Sequence, residues 1–234
     1  MPRIICRGLL IDMDGVLVDS TPAVARVWAR WAARYNMDPV YVTAFAHGRT
    51  SHASIKELLP DASLEVHNEE DLWMLHAEIE DIADVIALPG ARELLAAVPS
   101  SQRVVVTSAA RNLAEVRLRA AGVWDLVHLL ITSSDIQNGK PHPEPYLKGA
   151  AALQLPPADC VVIEDAASGI HAGKSAGARV LAIRTTSTDA ELLAAGADWI
   201  ANDCASLCCT LTPGSDQLTI EFPADEIPRV PKMS

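Results

Sequence analysis

The sequence predicts an α/β fold: a parallel sheet with helices on both faces, interrupted after its first strand by a small all-helical domain. Three observations carry this. Gly8-Leu9-Leu10-Ile11 is an apolar run too short for a helix, and it ends abruptly in Asp12-Met13-Asp14-Gly15. From residue 89 onward, short apolar runs alternate with helical patterns, as in a parallel sheet covered on both sides. Between the two, residues 20–88 show helical periodicity and no convincing strand. The expected division is a core of residues 1–19 and 89–234 and an inserted helical domain of residues 20–88.

The elements follow in order. Ser20-Thr21-Pro22 supplies a hydroxyl N-cap and a first-turn proline. Val24, Val27, Trp28 and Trp31 form one apolar face of the helix that follows, and the tryptophans read as core. Pro39 opens a second helix with Val40, Tyr41, Ala44 and Phe45. His47-Gly48-Arg49-Thr50 breaks the pattern, and a third helix carries Ile55, Leu58 and Leu59 before Pro60-Asp61 closes it. A longer amphipathic helix is expected over 68–87, with Leu72, Leu75, Ile79, Ile82 and Ile86 inside and Glu69-Glu70-Asp71 as its solvated start. Pro89-Gly90 marks the return to the core. Helices are expected over 91–98, 112–121, 143–153, 170–176 and 189–195. Strands are expected over 103–107, 128–132, 160–163, 179–183 and 199–200. Leu218-Thr219-Ile220 reads as a late edge strand in a proline-rich acidic tail whose last residues are expected to be mobile.

Composition limits the function classes. The chain of 234 residues is half hydrophobic, enough for a sizeable core. A net charge of −11 argues against a nucleic-acid partner, which calls for a basic patch. A local site can still be positive and hold an anion. The five cysteines, Cys6, Cys160, Cys204, Cys208 and Cys209, are odd in number and follow no zinc spacing. Reduced thiols in a reducing compartment fit them. Residues 1–8 lack the apolar core of a signal peptide, and no run approaches the ~20 apolar residues of a membrane span. A soluble, cytoplasmic protein without a membrane partner is expected. The oligomeric state is not legible, and a monomer is compatible.

Polar groups recur where strands end. Asp12 and Asp14 follow the first strand, Thr107 and Ser108 the second, Gly139-Lys140-Pro141 the third and Glu164-Asp165 the fourth. The carboxyl ends of parallel strands share one edge, so these groups can converge on one pocket. Acids at that spacing can hold Mg²⁺, which takes hard oxygen ligands. A hydroxyl and a lysine can hold a phosphate, while one acid attacks phosphorus and another moves a proton. Each member alone has a plainer reading: Asp12 to Gly15 as a turn, Ser108 as a helix cap, Lys140 as a loop charge. Their joint placement makes coincidence a poor account. Gly169, Gly173 and Gly177 read as close packing of a helix on the sheet. His142 reads as a helix start or a neighbour of the site, and His171 as surface.

Asp12-Met13-Asp14-Gly15-Val16-Leu17, Thr107-Ser108, Lys140-Pro141 and Glu164-Asp165 resemble the four motifs of the haloacid dehalogenase superfamily, across nearly the whole chain. Its members have a Rossmann-like core, and the inserted block resembles their helical cap. His47 to Thr50, Gly139 to Gly149 and Glu164 to Ile170 are more narrowly similar to the yeast glycerol-phosphate and 2-deoxyglucose-6-phosphate phosphatases.

The resemblance implies a Mg²⁺-dependent phosphatase for a small sugar or polyol phosphate, working through an aspartyl-phosphate. Asp12 would be the nucleophile, and Asp14 would protonate the leaving alcohol and then activate water. Ser108 and Lys140 would hold the phosphoryl group. Asp12, the Asp14 backbone carbonyl and Asp165 would ligate Mg²⁺, with Glu164 nearby through water. Arg49, Thr107, Arg111 and Asn112 would contact substrate. Three rivals stand beside this reading. A hexose-phosphate mutase of the β-phosphoglucomutase type must grip a second phosphate, and Arg49, Arg111 and Asn112 resemble such a grip. Ala110 stands where the mutase pattern has serine. A non-catalytic regulator on the same fold has no need of a nucleophile and an acid together. Dehalogenation does not need Mg²⁺, and Asp14 and Gly15 fit the phosphatase pattern better.

Overall fold

The computed structural model describes residues 2–46 and 49–223. Its first two strands differ in character. β1 (Arg3–Cys6) alternates exposed and buried side chains, whereas β2 (Gly8–Ile11) is buried at every position. Burial on both faces marks a strand inside a covered parallel sheet. After β3 (Val18–Asp19) come four successive helices: α1 (Thr21–Arg34), α2 (Pro39–Ala46), α3 (Ser51–Leu58) and α4 (Leu64–Glu80). β4 (Ile86–Ala87) then pairs antiparallel with β3, Asp19 opposite Ile86. The two chain crossings into the inserted domain are thus bonded to each other. This ribbon corrects the expectation of a strand-free block, since two residues are too few for alternation to show.

The core then alternates α5 (Ala91–Ala97), β5 (Arg103–Val106), α6 (Arg111–Ala120), β6 (Leu130–Ile131), α7 (Glu144–Ala152), β7 (Cys160–Glu164), α8 (Ala167–Ser175), β8 (Arg179–Ile183), α9 (Asp189–Ala194) and β9 (Trp199–Ala201). The sheet order is β6-β5-β2-β7-β8-β9, with every pair parallel. From β2 the chain steps outward through β5 to β6, then returns to β7 on the other side. That reversal opens a crevice at the carboxyl end of β2.

Alternation along the strands splits the core in two. Leu10, Val104, Val162 and Val180 pack with Tyr146, Ala150, Ile170 and Leu192 of α7, α8 and α9. Leu9, Ile11, Val105 and Ile163 pack with Leu94, Leu95 and Leu118 of α5 and α6. β10 (Cys208–Leu211) and β11 (Leu218–Glu221) complete a small antiparallel sheet of order β1-β11-β10, which adds Ile4, Leu218 and Ile220 to this second core. Leu218 to Ile220 therefore lie in a central strand, not at an edge. Their partner β1 sits at the other end of the chain, where no local pattern reveals the pairing. The tail segment 224–234, with His47 and Gly48, lies outside the described residues.

The inserted domain closes around Val27, Trp28, Trp31, Val42, Ile55, Met74 and Ala77, with the two tryptophans edge to face at 5.5 Å. α4 departs from its expected bounds and face. It starts at an N-cap, Ser63, whose hydroxyl accepts from Val66 N–H, and stops at Glu80. It buries His67, Glu70, Met74 and Ala77, while Leu72 is exposed and Ile86 is an exposed residue of β4. Glu70 can sit inside because its carboxylate accepts Trp31 Nε1–H at 3.0 Å and Arg34 Nη2–H at 2.7 Å. Buried polar residues with partners shift the stripe away from the face that hydrophobicity alone selects. Gly173 does let α8 pack closely, since a Cβ there would meet Val180 and Val162, but Gly177 instead ends the helix at φ 85°. Among the described residues no helix is long and apolar enough to cross a membrane, and all five thiols are free.

Candidate active site

Strand pairing fixes the first aspartate. Asp12 N–H donates to Ile163 O at 2.9 Å, which extends the β2–β7 ladder and fixes the backbone that presents its carboxylate at the sheet edge. The chain then doubles back, with Leu17 and Val18 N–H both bonded to Met13 O at 2.9 Å. Gly15 makes this turn with φ 83°, and a Cβ there would collide with the Asp165 carboxylate. Both the conformation and the close approach require glycine. The end of β7 delivers Glu164 and Asp165, the end of β5 delivers Thr107 and Ser108, and the loop after β6 delivers Lys140. All of these line a cavity of about 410 Å³, whose far wall belongs to the inserted domain.

Its floor is a buried charge cluster. Lys140 Nζ touches Asp12 Oδ1 and lies 2.6 Å from Glu164 Oε1. Glu164 also accepts Tyr146 O–H at 2.9 Å and the backbone N–H groups of Asp165 and Ala166 at 2.9 and 3.1 Å. Burial works to raise the Glu164 pKa, but Lys140 and these donors hold it below the usual carboxylate range. Asp12 goes the other way: burial, with Glu164 and Asp165 nearby, pushes it well up despite Lys140. Burial and Glu164 push Asp165 up to about 8, against a hydrogen bond from Thr186 Oγ1.

One ammonium thus faces three carboxylates. Asp12, Glu164 and Asp165 each offer an oxygen within 4.8 Å of the others. Such a set of hard oxygen donors fits a divalent cation, which would displace the protons that Asp12 and Asp165, with their raised pKa values, hold.

Asp14 stands at the rim and faces the cavity. Its Oδ1 accepts Ser20 O–H at 2.5 Å and Arg117 Nη1–H at 3.1 Å. Of the other predicted residues, Thr107 and Ser108 both line the cavity, Thr107 almost wholly buried with its Oγ1 accepting Ala109 N–H. Arg49 also lines the cavity, its guanidinium paired with Glu57 and 4.6 Å from the Phe45 ring centre. Arg111 and Asn112 do not line it. Arg111 Nη2 is taken by Asp135 at 2.7 Å and Leu130 O at 3.3 Å, and Asn112 bonds within the first turn of its own helix. His142 accepts Glu144 N–H at the start of α7, and His171 is exposed.

Sequence reasoning missed Ser20 as a partner of Asp14, and also Glu78, Arg117, Tyr146 and Thr186. One signal was available for Arg117: it shares a helical stripe with Leu113, Ala114 and Leu118, where a cation needs a reason.

Residues 6–177 match the model of the haloacid dehalogenase-like hydrolases, and the chain belongs to that family. Among its relatives, hexitol phosphatase A of Escherichia coli is 38% identical over 183 residues, covering 76% of this chain and 83% of that protein. Glycerol-1-phosphate phosphohydrolase 2 of Saccharomyces cerevisiae is 36% identical over 190 residues, covering 76% and 74%. In fold, the chain is similar to a hydrolase from Pseudomonas syringae, with a TM-score of 0.77 at 24% identity over 84% of this chain and 94% of that one. It is also similar in fold to a β-phosphoglucomutase from Clostridium difficile, with a TM-score of 0.74 at 23% identity over 86% and 92%.

Proposed function

We propose that the protein is a phosphatase that hydrolyses the phosphate monoester of a small sugar or polyol, with Asp12 as nucleophile. The observation that carries this is the meeting of Asp12, Lys140 and the acid cluster at the floor of a cavity that Asp14 also faces. A carboxylate oxygen of Asp12 attacks phosphorus, and the bond from phosphorus to the alcohol oxygen breaks. Asp14 gives its proton to that oxygen. A water then attacks phosphorus, Asp14 takes a proton from it, and the acyl-phosphate bond breaks to release inorganic phosphate and free Asp12. Lys140 and Ser108 hold the phosphoryl oxygens, and Glu164 holds Lys140. Asp12, Asp165 and the Asp14 backbone carbonyl would hold Mg²⁺, with Glu164 close behind. The ion supplies charge neutralisation of the phosphoryl group, on which this chemistry largely depends.

The far wall favours an uncharged polyhydroxy alcohol. It presents Thr43, Ser51, His52 and Asp71, which can exchange hydrogen bonds with hydroxyls. Among the described residues the two arginines lining the cavity are committed, Arg49 to Glu57 and Arg117 to Asp14 and Glu78. With Arg111 and Asn112 outside, the cavity has little to grip a second phosphate, which speaks against a mutase. The names of the hexitol and glycerol-phosphate relatives support the same substrate class. A phosphate-release screen over hexitol, hexose and glycerol phosphates, with and without Mg²⁺, tests it. Release from at least one monophosphate, dependent on Mg²⁺ and absent in Asp12→Asn, is expected. Interconversion of hexose phosphates without release would overturn it.

A further inference from the structure

We propose that Arg117 is a positioning residue that orients the Asp14 carboxylate for proton transfer and is itself held from the inserted domain by Glu78. The inference rests on Asp14 being the acid–base group. Arg117 belongs to α6 of the core and is 5% exposed. Its Nη1 donates to Asp14 Oδ1 at 3.1 Å, and its Nη2 lies 3.4 Å from Glu78 Oε1 on α4. One side chain therefore touches both the acid at the rim and the domain that roofs the cavity.

Burial of a guanidinium is costly unless its partners are fixed. The two carboxylates offset that cost only together, because they sit on different domains. Among the described residues the buried Nε of Arg117 has no partner, so the ion pairs of its two Nη groups are what hold the side chain. Its place is set by the two acids.

The geometry at Asp14 shows what this achieves. Ser20 Oγ and Arg117 Nη1 both donate to Oδ1. Oδ2 accepts no hydrogen bond from the described residues, and Asp14 lines the cavity. Two donors pinning one oxygen hold the carboxylate plane, and the other oxygen is left to carry the proton. Ser20 begins the inserted domain and Glu78 lies on its last helix, so both supports depend on that domain being seated. When Glu78 moves away, Arg117 loses one of its two carboxylates and is free to follow the other. Proton transfer then becomes effective only with the cavity roofed, where bulk water is excluded.

The test compares an alkyl and an aryl monoester, glycerol-1-phosphate and p-nitrophenyl phosphate, in Arg117→Met, Glu78→Gln, the double variant and Asp14→Asn. An alkoxide needs a proton as it leaves and p-nitrophenolate does not. Arg117→Met is expected to lower kcat on glycerol phosphate roughly 10²-fold, while the aryl ester falls only about threefold. Glu78→Gln should show the same bias more weakly. The double variant should be no worse than Arg117→Met, since Glu78 acts through Arg117. Losses equal on both esters, or additive losses in the double variant, overturn the proposal. If Arg117→Met does not fold, Glu78→Gln decides alone, and an unbiased loss there overturns it. Asp14→Asn separates the two levels. Bias in Asp14→Asn without bias in Arg117→Met refutes the positioning role, whereas no bias in Asp14→Asn refutes the acid assignment beneath it.

Discussion

Glu164 stands behind Lys140, its Oε1 2.6 Å from the ammonium that touches Asp12. Gly169 on α8 makes room for it, since a Cβ at that position would overlap the Glu164 carboxylate. Gly169→Ala must therefore displace either the carboxylate or the helix. A displacement near 1 Å at a reacting group costs about 10²-fold in rate. Gly169→Ala is expected to lose activity on that scale while retaining its circular dichroism spectrum. Unchanged kcat would mean that Glu164 does not set the position of Lys140.

On the proposed reading a metal and a proton would compete at Asp165. Its pKa in the metal-free fold is raised to about 8, against about 3.9 in an unfolded chain. The folded state thus binds that proton more tightly, and the stability it contributes is full below the unfolded value. That stability is lost as pH rises through about 8, and Asp12, also raised, acts in the same direction. The melting temperature of metal-free protein should fall from about pH 6 to about pH 8.5, and Mg²⁺ should restore more at the upper end. A Mg²⁺ effect that is flat or declines over that range would contradict the cluster's role.

The inserted domain has its own polar keystone. Glu70 accepts hydrogen bonds from buried Trp31 and from Arg34. Glu70→Ala leaves the indole N–H of Trp31 unpaired in the core, at a cost of about 1–3 kcal/mol. A lower denaturant midpoint is expected, with kcat on p-nitrophenyl phosphate little changed. A midpoint equal to that of the unchanged protein would show that Glu70 has no structural role.

The order of core elements was legible because buried parallel strands are short, apolar and bounded by breaks, as at Leu9 to Ile11 and Val161 to Ile163. The floor of the site was legible because Asp12, Lys140, Glu164 and Asp165 each follow a strand. What escaped depends on distant partners. β1 acquires its pairing from β11 at the far end of the chain. The buried face of α4 is decided by Trp31 and Arg34 on another helix, so hydrophobicity alone favoured Leu72. Arg111 and Asn112 sit beside a motif in sequence, but Asp135 and Leu130 draw Arg111 away from the cavity. Arg117 needed both Asp14 and Glu78 in place before its position made sense.

The central claim is that phosphorus passes through Asp12. Acid quench of the enzyme during turnover, borohydride reduction of the acyl-phosphate and peptide mass spectrometry test it most directly. Reduction turns a phosphorylated aspartate into homoserine, and the account predicts homoserine at position 12 only, appearing with substrate and absent without it. Homoserine at Asp14 or Asp165 instead, or steady phosphate release with Asp12 unmodified at every quench time, would contradict it.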